Sequence, residues 1–452
     1  MPLTQPQPIV RGPLATREEC CGCPLAGPDG YAAKPVVGIG PRKPAYIAFG
    51  EGPGGEELRR GEPFCGPSGQ LVTAAIEKTG CRRQDVWIGN VTLCAPYGKD
   101  KDKVMPKAMA HCRARVIREL YTFGDVPMIL MGKWATQLFL GDKTKITEVA
   151  GCYFQVAVEG LGQRQIIPTI HPAHILRGGG GEGGGGAHAV DLLYLNLLYD
   201  FAKVRRLADH SQAPFVEKIS YEFKDHKRAD ALVDGIARDA RRTGMFACDV
   251  ETLPVAQGEC KSCMSCRGHS AVESYYAKLL AVGLATEERA ISVAWPVLSL
   301  KGRTAVKALL SDRKIIKVFH NSLYDRVVLA RYGIPVAEPV HCTLLGHHNA
   351  FPGLDHKLQR VASQFFLVSP WKSEFRNGKG SPTELHAYNC RDTLVCARLH
   401  PVLQIIVKKS AAERAYAMDR RMAEVATKMA LDGIPVDLIE NRRLASVMKP
   451  KI

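Results

Sequence analysis

Two layered α/β domains in tandem, closed by a short helical tail, are expected of this 452-residue chain. Three observations lead there. The length exceeds what one ordinary hydrophobic core serves. Short apolar runs alternate with helical patterns, first over residues 1–205 and again over 219–405, as mostly parallel sheets covered by helices require. A polar stretch at 206–218 separates the two runs as a linker. Hydrophobic residues make up 46% and charged residues 23%, a globular balance that excludes a disordered chain.

In the first domain, AYIAFG, DVWIGNV, PMILMG and QIIPTI read as strands. SGQLVTAAIEKTG and PKAMAHCRARVIRELYTFG read as helices. The second of these sets Met109, Cys112, Val116 and Leu120 on one face. A glycine-rich tract, GGGGEGGGG, precedes the last helix, AVDLLYLNLLYDFAKVRRLA. Its composition is that of a flexible loop.

The second domain opens with YEFKD, a basic helix around ALVDGIARDARR and the strand MFACDVE. The tail, 406–452, is helical up to a stop at Gly433-Ile434-Pro435. It is too short to bury a core of its own.

The formal charge is +16 and the pI about 9.2. A solvated basic face is one reading of that excess, and a polyanion such as DNA the sharper one. The N-terminus lacks the apolar core of a signal peptide. The run VPMILMGKWATQLFLG is interrupted by Lys133 and is too short for a membrane span. No membrane association is expected. The 15 cysteines are clustered, and in a reducing cytoplasm such clusters read as metal sites before disulfides.

Gly50, Gly52 and Gly55 in FGEGPGG fit G-x-G-x-x-G after a strand, the outline of a pyrophosphate-binding turn. The residues that follow, EELRRGEPF, do not suggest a helix opening directly at the third glycine. A catalytic turn that admits a nucleotide close to the backbone is the expectation, with Glu51 its acid and Gly52 its point of close approach. Four cysteines accompany it: Cys20 and Cys23 in a C-x-x-C, Cys94 in NVTLCAP, and Cys112 on the following helix. Four thiolates complete either a zinc site or an iron–sulfur cluster, and spacing does not choose between them.

GEGPGGEELRRGEPFCGPSGQL, GNVTLCAP and HPAHILR, in that order, resemble family-four uracil-DNA glycosylases over most of residues 18–205. The resemblance implies a three-layer glycosylase-like fold. It also implies a 4Fe–4S cluster on Cys20, Cys23, Cys94 and Cys112. Phe64 would stack on a base extruded from DNA. The Asn90 amide, both donor and acceptor, would match an imide edge. His171 would donate to the oxygen on which charge develops. Glu51 would lie near the water and sugar, and Arg177 would grip a phosphate. The family often continues GEGPG with acids ending in Asp, where this chain has Gly55-Glu56-Glu57-Leu58.

A second constellation lies further on. Asp249 and Glu251 are two apart on a strand, so their carboxylates share a face. Asp325 follows Asn321 by four residues in HNSLYDR, and Asp392 follows Tyr388 by four in YNCRD. Four converging acids can bind two divalent ions about 4 Å apart. Together these segments resemble the 3′–5′ exonuclease domain of family A DNA polymerases. A ribonuclease-H-like fold is implied, with Mg²⁺ or Mn²⁺ (two ions) on Asp249, Glu251, Asp325 and Asp392. Tyr388 would orient the attacking water, and Asn321 would bind substrate. Residues 411–443 resemble the start of a polymerase region, so a polymerase region or separate polymerase subunit is an expected partner. Such fusions suggest a bacteriophage source, hence a host cytoplasm.

Between the first acidic pair and the next strand lies GECKSCMSCRGHS. Cys260, Cys263, Cys266 and His269 are spaced three apart, which suits Zn²⁺ or an iron–sulfur site. A solvent-exposed insertion with free thiols is the alternative.

Overall fold

The computed structural model describes residues 7–30, 34–96, 100–177, 187–254, 276–372, 380–433 and 439. The Cys260, Cys263, Cys266 and His269 insertion lies outside the described residues, as does the glycine-rich tract. Two compact units form. One is Met1–Val216 together with Gly353–Pro370; the other is Glu217–Pro352 together with Trp371–Ile452. Residues 353–370, inside the expected second domain, therefore belong to the first unit.

Among the described residues, the first unit carries a seven-stranded sheet. Its strands are β1 (Ile9–Arg11), β2 (Ile39–Pro41), β3 (Ile47–Gly50), β4 (Trp87–Asn90), β5 (Met128–Met131), β6 (Phe154–Val158) and β7 (Gly162–Thr169). Their spatial order is β1-β2-β4-β3-β5-β7-β6. The central pairs β4–β3, β3–β5 and β5–β7 are parallel. Strand alternation divides the apolar residues between two cores. Tyr46, Ala48, Ile88, Ile129 and Ile167 face one core, which includes Val72, Ala75 and Ile76 of helix Pro67–Lys78. Ile47, Phe49, Trp87, Met128 and Leu130 face the other, with Met105, Met109, Val116 and Leu120 of helix Lys101–Tyr121. Three layers result. Helix Lys101–Tyr121 begins five residues before Pro106, earlier than the sequence suggested, capped by the Asp100 side chain.

The second unit holds a six-stranded sheet of β8 (Ile219–Glu222), β9 (Met245–Leu253), β10 (Lys278–Ala285), β11 (Ala290–Ala294), β12 (Ile316–Phe319) and β13 (Val340–Cys342). The order is β13-β12-β9-β10-β11-β8, with β10 antiparallel to both neighbours. This is the ribonuclease-H-like arrangement expected. Phe246, Cys248 and Val250 of β9 point into the core with Val282, Leu284, Ile291 and Val293. Asp249 and Glu251, one residue out of phase, are left on the opposite face. That face is covered by helix Pro382–Lys409, which packs on β9, β10 and β11 and opens with a Ser381/Glu384 capping box. The last described helix, Glu413–Asp432, stops at Gly433. None of the described helices is long and apolar enough to cross a membrane.

Candidate active sites

The first site forms at the carboxyl ends of parallel strands, where open α/β sheets place ligands. β3 ends at Gly50, β4 ends at Asn90, and β7 leads into His171. Gly50 is the floor. A Cβ there would lie 2.4 Å from Phe64 Cζ and 2.5 Å from Asn90 Oδ1, so only glycine lets the ring and the amide approach. Asn90 is 1% exposed, and neither its Nδ2 nor its Oδ1 has a hydrogen-bond partner. Orphaned buried amides are rare because each unmade bond costs about 1–3 kcal/mol. Such a group is placed to read a ligand edge.

Phe64 is buried beside His171, their ring centroids 6.3 Å apart. Its backbone is left-handed, with φ +54°, which is unusual for a bulky residue. Two features hold it there. Glu57 Oε1 accepts from Phe64 N at 2.6 Å, and Gly69 has no side chain to meet the Phe64 carbonyl. His171 caps the short helix Pro172–Leu176, and its Nδ1 accepts from Ala173 N at 3.1 Å. Burial holds its pKa down to about 4. The ring is therefore neutral at pH 7, and with Nδ1 accepting, the proton sits on Nε2 as a donor.

Glu51 is 7% exposed. Its Oε2 pairs with Lys101 Nζ at 2.6 Å, and its Oε1 accepts from Trp134 N at 3.2 Å. The Glu51 carbonyl accepts from Thr92 Oγ1, and at Gly52 a Cβ would press on that same hydroxyl. Arg177 is exposed at the end of helix Pro172–Leu176.

One expectation about the turn needs correction. A helix, Gly55–Arg60, does open directly at the third glycine. What removes the pyrophosphate reading is Glu57, whose carboxylate bonds Gly54 N as well as Phe64 N. The chain's own anion already occupies this helix start.

Cys20, Cys23, Cys94 and Cys112 line one cavity together with Thr92 and His111. Among the described residues, the group whose ligand atoms all lie within 4.8 Å of one another is acidic, not thiol. Four thiols around one apolar cavity have the donor chemistry for zinc or an iron–sulfur cluster.

The second site is the acidic group itself: Asp249, Glu251 and Asp392. β9 supplies two members and helix Pro382–Lys409 the third. Asp325, buried on helix Ser322–Arg331, accepts from Val250 N at 3.0 Å and so is held against the backbone of the same strand. Asn321, exposed and left-handed at φ +70°, precedes that helix. Burial, and next Asp392, raise Asp249 to about 7. Glu251 and Asp325 are raised well above the usual carboxylate range, by burial first and by Asp249 second. The cluster carries more negative charge than its surroundings relieve. An all-oxygen donor set of this kind suits Mg²⁺ or Mn²⁺.

Three side chains that sequence spacing did not single out, Trp371, Lys372 and Asn389, bond these acids directly, and two more stand behind them. Trp371 Nε1 donates to Asp392 Oδ1 at 2.6 Å. Lys372 pairs with the other Asp392 oxygen and donates to Tyr388 OH at 2.6 Å. Burial alone would lower the Lys372 pKa, but Asp392 and Tyr388 more than offset it and the pKa rises. Asn389 Nδ2 donates to Asp249 Oδ2 at 2.7 Å. Its Oδ1 accepts from Ser292 Oγ at 2.7 Å, so the 2.7 Å contact from Ser292 to His386 Nδ1 has the imidazole donating. Gly283 leaves the room for Asn389.

Comparison with known proteins assigns both units. Residues 37–184 match the uracil DNA glycosylase superfamily, and residues 233–408 match a 3′–5′ exonuclease family. Type-4 uracil-DNA glycosylase of Thermotoga maritima is 33% identical over 161 residues, which cover 35% of this chain and 79% of that protein. The Archaeoglobus fulgidus type-4 enzyme is 34% identical over 146 residues, covering 31% and 71%. A solved structure of Brucella melitensis NrnC with bound Mg²⁺ is 20% identical, with TM-score 0.36, and covers 48% of this chain and 94% of that one. The chain thus joins a uracil-DNA-glycosylase superfamily domain to a 3′–5′ exonuclease domain. Within the superfamily it belongs with the type-4 uracil-DNA glycosylases.

Proposed function

We propose that the first unit excises uracil from DNA and that the second removes nucleotides from DNA 3′ ends. The observation that carries the first half is the orphaned Asn90 amide beside Phe64 and the Nε2–H of His171. Uracil presents a donor N–H next to carbonyl acceptors, which that amide complements. Phe64 supplies the stacking face. As the C1′–N1 bond breaks, its electron pair passes to the uracil ring. His171 donates to the O2 oxygen and stabilises that charge. Positive charge appears at the same time on the sugar, where the Glu51 carboxylate, held by Lys101 and Trp134 N, stabilises it. Water then adds at C1′, leaving an abasic site. Arg177 would hold a backbone phosphate. A 4Fe–4S cluster on Cys20, Cys23, Cys94 and Cys112 would tie the N-terminal loop to helix Lys101–Tyr121, a structural task.

In the second unit Asp249, Glu251 and Asp392, with Asp325 held against the same strand, would hold two divalent ions. Such ions activate a water and stabilise the leaving 3′ oxygen. Tyr388, held by Lys372, would orient that water, and Asn321 would contact the strand. The chain's resemblance to family A polymerases past residue 411 supports a proofreading role beside a polymerase region or subunit, of a phage type working in a host cytoplasm.

The direct test is abasic-site formation on uracil-containing single- and double-stranded DNA. Product with the wild type that is absent with Asn90→Ala is expected. Tight binding with no abasic product would overturn the glycosylase half.

A further inference from the structure

Residues 353–370 fall within the stretch that matches the exonuclease family, yet they are built into the first unit. Their helix, Leu358–Phe365, and the strand-like residues after it are joined to that unit along their length. Gln359 Nε2 donates to the Glu148 carbonyl at 2.9 Å, and Arg360 donates to the Ala150 carbonyl. Gln364 Nε2 donates to Asn196 Oδ1 at 3.1 Å. The Leu367 and Val368 carbonyls accept from Phe215 N at 3.0 Å and Tyr153 N at 2.8 Å. Leu367 is itself a member of the core that contains Ile167, Leu197 and Phe201.

The centre of this junction is charged. Lys203 is fully buried, and its Nζ donates to the carbonyls of Gly151 and Ser363 while pairing with Asp200 at 3.0 Å. Asp200 in turn accepts from Thr169 Oγ1 at 2.7 Å, and Gly151 N donates to the Pro168 carbonyl at 2.7 Å. Pro168 and Thr169 end β7, two residues before His171. A buried ammonium requires all its partners, because losing one leaves an uncompensated charge. The Ser363 carbonyl, supplied from residues 353–370, is one of them.

We propose that residues 353–370 are a positioning strap for the glycosylase site, fixing the end of β7 and with it the His171 ring. Arg360 and Gln364 are positioning residues, distant from the reacting atoms. This inference deepens the uracil-excision reading and rests on it. It also means that the glycosylase unit draws a working part from beyond residue 216.

The test uses the full chain carrying Arg360→Ala with Gln364→Ala. Misplacing a catalytic group by about 1 Å costs about 10²-fold in rate. The kcat for uracil excision should fall toward that extent while KM changes little, and Arg360→Lys should restore most of it. Nucleotide release from 3′ ends should be unchanged, which also shows that the variant is folded. Independently of activity, the ¹⁵N resonances of the His171 ring should shift. Unaltered kcat with unaltered His171 resonances would overturn the proposal, as would an equal fall in both activities. If the wild type excises no uracil, the excision reading fails, and the ring resonances still decide the strap.

Discussion

The two sites solve opposite electrostatic problems. The base-reading side of the pocket at Gly50 is lined by neutral groups, an amide with no partner and an imidazole whose burial holds its pKa near 4, and its one carboxylate, Glu51, is already paired with Lys101. The site on β9 gathers carboxylates whose burial and mutual repulsion drive their proton affinity up. A recess whose charges are already paired awaits a neutral base and must meet new charge only as it develops. An anionic cluster awaits cations and is strained without them. That difference is what the proposed metal-independent and metal-dependent activities rest on.

The largest effect expected from breaking this contrast is on the acids. Asp249→Ala with Glu251→Ala should reduce 3′-end nucleotide release by about 10³-fold or more, since metal stabilisation of such a reaction is worth several kcal/mol. Uracil excision by the same variant should be unchanged, and parallel assays on 3′-labelled and uracil-containing strands read both. Asn90→Leu comes next. Excision should fall by about 10²- to 10³-fold, the range for losing one oriented polar group at a site of developing charge. The unfolding midpoint should hold or rise, because the buried amide has no partner to lose. A marked drop in that midpoint would mean Asn90 is structural.

A smaller effect is expected of Asn389→Ala, which removes the donor to Asp249 Oδ2. Outer hydrogen bonds of this type are worth about 10- to 100-fold in metal affinity. Titration with Mn²⁺, followed by electron paramagnetic resonance, would read that loss directly. The smallest effect concerns pH. His171 is depressed from about 6.5 in the unfolded chain to about 4 in the fold, so the unfolded state binds more protons between those values. Its contribution to stability is full above about 6.5 and is lost as pH falls toward 4. His171→Gln should flatten that part of the stability profile, measured by denaturant unfolding at pH 4.5 and 7.

Much of this was legible in the residues. Strand period 2 put Asp249 and Glu251 on one face, opposite Phe246, Cys248 and Val250, and helix spacing put Tyr388 beside Asp392. The order of GEGPG, GNV and HPAHILR located Glu51, Asn90 and His171. The groups that escaped notice act across long separations with no local period. Trp371 and Lys372 reach Asp392 from a separate segment. Ser292 and His386 meet only through the sheet-and-helix packing. Glu57, read as a departure in an acidic run, proved to be the clamp on Phe64. The strap at 353–370 carries no signal that its partners are Glu148, Ala150 and Asn196.

The central claim is that one chain holds a metal-independent excision site and a metal-dependent nuclease site. A single 5′-labelled, uracil-containing strand, incubated with the full chain in Mg²⁺ and in a chelator of free divalent ions, tests it most directly. The expected result is abasic product in both conditions and 3′-end shortening only with Mg²⁺. Shortening that persists in the chelator, or excision that vanishes with it, would contradict the account.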